Sequence, residues 1–166
     1  MANLGNPLPN NSPSIDLDYD AIIIGAGISG LYQLYKLRKL GMHVGVFEAG
    51  TGIGGTWYWN RYPGARFDSE SYSYAYSFSD ELLEEWDWSE HFASQPEILS
   101  YLQHMADKFD LLKDINFSSD VSDALYDDST RSWKIKLSNG DTYLSLIHIS
   151  EPTRRTPISY AVFCLK

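Results

Sequence analysis

A glycine-rich turn is the first feature of the sequence that could do chemistry. Residues 25–30 read GAGISG and stand between an apolar run and a segment of helical periodicity. Such a turn lets the backbone approach a pyrophosphate closely, and the helix that follows presents its N–H groups to the phosphates. Glu48 ends the next apolar run, where a carboxylate can accept hydrogen bonds from a ribose. The pattern predicts a dinucleotide site, and a glycine turn without a ligand is the alternative.

A second glycine segment, GGTW at residues 54–57, introduces an aromatic stretch. Residues 57–92 contain 12 of the 24 aromatic side chains of the chain. The glycine doublet would let the chain pass close to an extended dinucleotide, and the aromatic rings could shield a flavin from water. The rings could equally be core, which is the interpretation we favour for Trp86 and Trp88.

Hydrophobic periodicity predicts the elements that position these segments. Residues 19–24 form a short β-branched run typical of a buried parallel strand. Residues 29–40 carry leucines at three-residue spacing and end at Gly41, which predicts an amphipathic helix. Residues 43–47 predict a second strand, so the whole is a strand–helix–strand unit with a right-handed crossover.

The downstream half predicts one long helix followed by β-structure. Ser94 and Glu97 have the spacing of a capping box at the start of a helix over residues 94–109. The β-rich part is predicted to begin at Ile115, with strands at residues 121–126 and 133–137 and a hairpin turn at Asn139-Gly140.

The two ends of the chain are expected to lie outside the folded domain. Residues 1–17 are rich in Asn, Pro and Ser, which predicts a disordered leader. Residues 144–166 resemble the conceptual translation of a sequencing-library adapter, and a natural C-terminal strand is the alternative. The domain would then comprise residues 18–143, with the gene continuing beyond them. The only cysteine, Cys164, lies in the tail, so no disulfide framework is expected.

Composition excludes several classes of function. The formal charge is −9, from 13 basic and 22 acidic residues, which argues against a nucleic-acid binder. No apolar run is long enough to span a bilayer and no secretory signal is visible, so a cytoplasmic protein without a membrane partner is expected. The four histidines share no metal-ligand spacing, so no metal site is predicted.

One stretch is more specific than the glycine turn. GGTWYWNRYPG at residues 54–64 is followed by the pattern D-x-x-S-x-x-Y at residues 68–74. Together with GAGISG and FEAG, it resembles the N-terminal FAD-binding segment of Baeyer–Villiger monooxygenases. The resemblance runs from about residue 19 to residue 143 and implies an α/β fold, a partial Rossmann-type domain with a helical segment and a β-rich appendage.

The resemblance also implies roles for individual residues. The adenosine diphosphate of FAD would be held by Gly25, Gly27, Ser29, Gly30 and Glu48, with backbone contacts from Val121 to the adenine. The flavin half would be lined by Gly55, Thr56, Trp57, Trp59, Asp68 and Tyr74. Arg66 and Asp68 would reach the nicotinamide cofactor, NADPH. Asp68 is the catalytic candidate, because in the family it pairs with an arginine from a later part of the chain.

The implied reaction belongs to a longer parent protein. NADPH would reduce FAD, and a C4a-peroxyflavin formed with O2 would convert a ketone into an ester or lactone. The chain as written lacks a second glycine motif and the catalytic arginine, so we expect weak or no FAD binding and no oxygenase activity from it alone. Two alternatives remain: a fragment of an N- or S-hydroxylating flavin monooxygenase, and a non-catalytic FAD-binding stub. The particular ketone and the oligomeric state are left open.

Overall fold

The fold is a six-stranded sheet with helices against it. The computed structural model describes residues 16–150, without the side chain of Ser150. Along the chain the strands are β1 Tyr19–Ile24, β2 Val44–Phe47, β3 Ile115–Asn116, β4 Val121–Asp127, β5 Ser132–Leu137 and β6 Thr142–Ser150. The helices are α1 Ile28–Lys39, α2 Thr56–Trp59, α3 Ser71–Tyr74, α4 Asp80–Glu85 and α5 Gln95–Lys108, with a 3-10 turn at Leu112–Asp114.

The strand order is β3-β2-β1-β6-β5-β4. Strands β3, β2, β1 and β6 run parallel, whereas β4 and β5, and β5 and β6, pair antiparallel. The predicted strand–helix–strand unit and the α/β class are confirmed, with bounds within one residue of those predicted. Parallel strands that are covered on both faces read as continuous apolar runs, and β2 is buried at all four positions.

The main core lies between the helices and one face of the sheet. Leu31 and Leu34 of α1 and Ile98, Leu102 and Met105 of α5 are wholly buried there. Trp88 belongs to this core and Trp86 packs against it, which confirms the structural interpretation of both side chains. A smaller cluster on the other side joins Ile22 and Phe47 to the β5 side chains Ile135 and Leu137.

The β-rich part is continuous with the parallel sheet, whereas the sequence predicted an appendage. Strand β6 pairs with β5 through its first half, where Lys136 stands opposite Thr142, and with β1 from Ser145 onward. One nine-residue strand is long enough to serve both neighbours. The turn at Asn139-Gly140 is confirmed, since Gly140 has φ +99° and its N–H donates to the Leu137 carbonyl over 3.0 Å.

Strand β6 lies in the middle of the sheet, yet it contains buried polar side chains, which are unusual in such a strand. Ser145 is fully buried, and the Nε2 atom of His148 is buried without a hydrogen-bond partner. Burial also lowers the pKa of His148. Residues 144–149 belong to the segment expected to be foreign to the gene, and its origin stays a prediction. The rest of that segment, with Cys164, and the leader up to residue 15 lie outside the described residues.

Candidate functional site

The glycine turn between β1 and α1 requires residues without a side chain. Gly25 has φ +99°, and its N–H donates to the Phe47 carbonyl over 2.9 Å. A Cβ atom on Gly30 would lie 2.1 Å from the Gly25 carbonyl oxygen. Gly27 is the N-cap of α1, whose first turn carries no acidic residue. The positive end of the helix dipole therefore lies at the turn without a carboxylate of its own helix to compensate it.

Glu48 braces this turn from the end of β2. Its side chain is buried, with one carboxylate oxygen accepting from the Ala26 N–H and the other from the Gly50 N–H, each over 2.7 Å. The sequence predicted only an acceptor for a ribose. Each oxygen keeps a second lone pair, so that role stays a prediction beside the structural one.

The glycine doublet joins the second motif to the first. The Gly54 N–H donates to the Ala26 carbonyl over 2.9 Å, and a Cβ atom on Gly55 would lie 2.9 Å from the Cα atom of Gly27. Both glycines have positive φ, +121° and +53°. The doublet thus passes against the glycine turn itself, and residues that are 28 positions apart in sequence form one cradle.

Two of the aromatic candidates contact each other in a group of packed rings, Trp57, Phe67 and Tyr74, which we call the aromatic layer. Trp57 is buried, and its indole N–H donates to the Tyr74 hydroxyl over 2.8 Å. The Tyr74 ring stacks on Phe67 with centroids 4.6 Å apart. In contrast, Thr56 is exposed and the side chain of Trp59 is 62% exposed. The structure therefore brings Trp57 and Tyr74 together and leaves Trp59 at the surface.

The charged candidates lie on the surface of the neighbouring loop. Arg66 forms an ion pair with Glu90 at 2.7 Å, and the same Nη1 atom donates to the Phe92 carbonyl over 3.0 Å. Asp68 is exposed and makes no hydrogen bond or ion pair within residues 16–150.

The loop that leads to Val121, before β4, is hydrogen-bonded to the residues that follow β2. The Ser118 and Ser119 N–H groups donate to the carbonyls of Gly50 and Glu48, each over 2.9 Å. Val121 follows two residues later and packs against the cluster that contains Phe47. Strand β4 lies at one edge of the sheet, so the predicted contact of Val121 with an adenine stays a prediction.

Sequence reasoning missed the polar residues that hold the aromatic layer. The Gln95 N–H donates to the Ala65 carbonyl over 2.8 Å, and its side-chain amide donates to the Trp57 carbonyl. The predicted capping box is wrong, because Ser94 makes no side-chain cap and Glu97 accepts instead from the N–H and hydroxyl of Ser89. In the sequence, the only indication of this link was the glutamine at the start of the predicted helix.

A buried tyrosine supports the same layer from α5. The Tyr101 hydroxyl accepts from the Tyr76 N–H over 2.8 Å, and burial raises the pKa of Tyr101 to about 12. The Tyr76 hydroxyl donates in turn to the Ile28 carbonyl at the start of α1 over 2.5 Å. The aromatic layer is therefore tied back to the helix that begins at the glycine turn.

The residues of the cradle fit the phosphates of a dinucleotide. Positions 25 and 27 carry no Cβ atom in the turn, Gly55 packs against Gly27 behind it, and the N-terminus of α1 favours an anion. Within residues 16–150, no group of three His, Cys, Asp or Glu side chains could hold a metal ion. In the same range, no helix is long and apolar enough to cross a membrane.

The fold is of the Rossmann-like class. Residues 23–84 match the family model of the NAD(P)-binding Rossmann-like domain. The chain is 46% identical over 123 residues to acetone monooxygenase (methyl acetate-forming) of Gordonia sp., covering 74% of this chain and 23% of that protein. It is also 46% identical over 126 residues to a phenazine N-monooxygenase of Lysobacter antibioticus, covering 75% and 23%.

Solved structures give the same result. An oxidized steroid monooxygenase bound to NADP superposes with a TM-score of 0.78 at 50% identity, covering 80% of this chain and 25% of that one. Cyclohexanone monooxygenase of Rhodococcus sp. bound to NADP+ superposes equally well, at 40% identity. The chain is thus related to Baeyer–Villiger monooxygenases and kindred flavin monooxygenases, which confirms the resemblance. It spans about a quarter of the length of these relatives.

Proposed function

We propose that this chain is the FAD-binding N-terminal segment of an NADPH-dependent monooxygenase that converts a ketone into an ester or lactone with O2. The observation that carries the proposal is the cradle in which Gly54 and Gly55 lie against the glycine turn and Glu48 braces it. The relationship to acetone and cyclohexanone monooxygenases supports the choice of a ketone.

The chain's own residues would bind and orient the cofactor. The backbone of residues 25–30 and the start of α1 would hold the pyrophosphate, and Glu48 the ribose. Trp57 and Tyr74 would exclude water from the flavin half, since they are packed together and held by one hydrogen bond. FAD, when bound, supplies the redox chemistry with O2.

Asp68 and Arg66 would act at the edge of the flavin half of the site. The Asp68 carboxylate is exposed and has no partner among residues 16–150, which suits a guanidinium from a later part of the parent protein that it would orient by a bidentate pair. Arg66 would offer its charge to the anionic nicotinamide cofactor. The cofactor-binding and catalytic roles of these residues are part of the proposal, as is a cytoplasmic location.

The test begins with a long read across the native locus. We expect the frame to continue past residue 143 into a second glycine motif. The expressed parent should bind FAD and form an ester or lactone from a ketone with consumption of NADPH and O2. A native frame that ends with residues 144–166 would contradict the proposal.

An N-hydroxylating monooxygenase is the second candidate. The phenazine N-monooxygenase matches this chain with the same 46% identity as the acetone monooxygenase. Product analysis of the parent with a cyclic ketone and with an aromatic N-heterocycle separates the two. N-oxide formation without lactone would favour the second candidate.

A further inference from the structure

Ser71 is buried in a segment that is otherwise exposed. The buried polar side chains of the described residues are Glu48, Ser71, Gln95, Ser132 and Ser145. Ser71 has no accessible surface, whereas its neighbours Glu70, Tyr72 and Ser73 are exposed. A buried hydroxyl is costly unless its hydrogen bonds are made, so its partners reveal its role.

All partners of Ser71 lie in one loop, at residues 90–93. Its hydroxyl lies 2.7 Å from the Glu90 carbonyl and 2.9 Å from the His91 carbonyl, to which it can donate, and it accepts from the Ala93 N–H over 3.1 Å. The backbone N–H of Ser71 also donates to the His91 carbonyl over 2.8 Å. Both the donor and the acceptor capacity of the hydroxyl are therefore used.

The two candidates of the flavin half flank this anchor at equal distance. Asp68 stands three residues before Ser71 and Tyr74 three residues after it. Arg66 donates hydrogen bonds to the same loop, at the Glu90 carboxylate and the Phe92 carbonyl. Beyond the anchor, Tyr74 accepts the indole hydrogen bond of Trp57. The segment that carries the site residues is thus attached to residues 90–93 on both sides of Asp68.

From this arrangement we propose that Ser71 is a positioning residue, which sets the places of Asp68 and Tyr74 in the flavin half of the site. The proposal rests on the proposed function for the meaning of those two residues, while the positioning itself is a property of the ligand-free chain. In the D-x-x-S-x-x-Y pattern, the serine would then fix the backbone from which the aspartate and the tyrosine, three residues away on either side, extend.

The test follows the indole N–H signals of the ligand-free chain by NMR. In Ser71→Ala, we expect the Trp57 indole proton to exchange with solvent about tenfold faster, because Tyr74 is no longer held in register. A Trp57→Phe variant assigns the signal. The backbone amide signal of Ile135, which is wholly buried in the centre of β5, should keep its exchange rate.

Ser73→Ala is the matched control, because this serine lies in the same helix, is exposed and donates only to the Glu70 carbonyl. It should leave the Trp57 signal unchanged. Ser71→Cys preserves the volume with a weaker donor and should give an intermediate rate; it decides the question if Ser71→Ala does not fold.

Two results would overturn the proposal. One is an unchanged Trp57 signal in both Ser71 variants. The other is an equal acceleration at the Trp57 indole and at the Ile135 backbone amide, which would mean a general loss of stability. A parent protein that fails to bind FAD would refute the proposed function and leave this result intact.

Discussion

The two halves of the candidate site are built in different ways. The cradle at residues 25–30 and 48–55 depends on glycine geometry, one carboxylate and backbone hydrogen bonds between consecutive elements of the sheet unit. The aromatic layer lies on short helices of four to six residues. These helices are held in place by hydrogen bonds from side chains that are distant in sequence. The cradle is therefore held mainly by backbone groups, whereas the aromatic layer depends on individual polar side chains.

The largest loss of stability is expected from adding a side chain inside the cradle, at Gly30. Gly30→Ala places a Cβ atom 2.1 Å from a backbone oxygen that cannot move without displacing the turn. We expect the free energy of unfolding to fall by at least about 3 kcal/mol, measured by urea denaturation. Gly41→Ala is the control, since its φ is +81° but no atom lies within 4 Å of the added Cβ. An equal loss in both variants would show that contacts in the cradle are unimportant.

Alkaline unfolding tests the aromatic layer next. Because burial raises the pKa of Tyr101 to about 12, the folded chain retains this proton at a pH where the unfolded chain releases it. The stabilisation is present below about pH 10 and is lost as the pH rises to 12, by roughly 2 to 3 kcal/mol. Stability curves of the chain and of Tyr101→Phe should converge over this range. Parallel curves would contradict the assignment.

A smaller loss should follow from weakening the brace of the cradle. Glu48→Gln leaves one oxygen where two accept backbone N–H groups, and places an amide donor against the other. We expect a loss of about 2 kcal/mol in the free energy of unfolding, measured by urea denaturation. Glu97→Gln, whose carboxylate binds Ser89 near the surface, should cost less. The reverse order would refute the role of Glu48 as a brace.

The smallest of these effects concerns the link between α5 and the aromatic layer. Gln95→Leu removes the donor to the Trp57 carbonyl but keeps the backbone hydrogen bond to Ala65. The expected loss is about 1 kcal/mol by urea denaturation. Gln103→Leu, on the exposed side of the same helix, removes only a contact with Asp107 and should be neutral. Equal values for the two glutamines would mean that the link has no energetic role.

The difference between the halves also explains what could be predicted. The cradle follows from local rules: an apolar strand, a glycine turn and a helix of period 3.6 specify one another within about 30 residues. Glu97 shows the limit of such rules, because the capping spacing was present but Ser89 offered the carboxylate a better pair of donors. The sequence contained Ser71 within the D-x-x-S-x-x-Y pattern and Gln95 at the start of a predicted helix, but it could not identify their partners, which are backbone groups of distant segments whose positions no motif records.

The sequence by itself determined the class of fold, the strand–helix–strand unit, the position of the glycine cradle and the relationship to flavin monooxygenases. These depend on periodicity and on motifs, which are local in the chain. Only the tertiary structure decided that Glu48 braces the turn, that Trp57 meets Tyr74, that Trp59 is exposed and that β6 joins the two parts of the sheet. Each of these depends on which backbone groups of distant segments are left to be hydrogen-bonded once the core has packed.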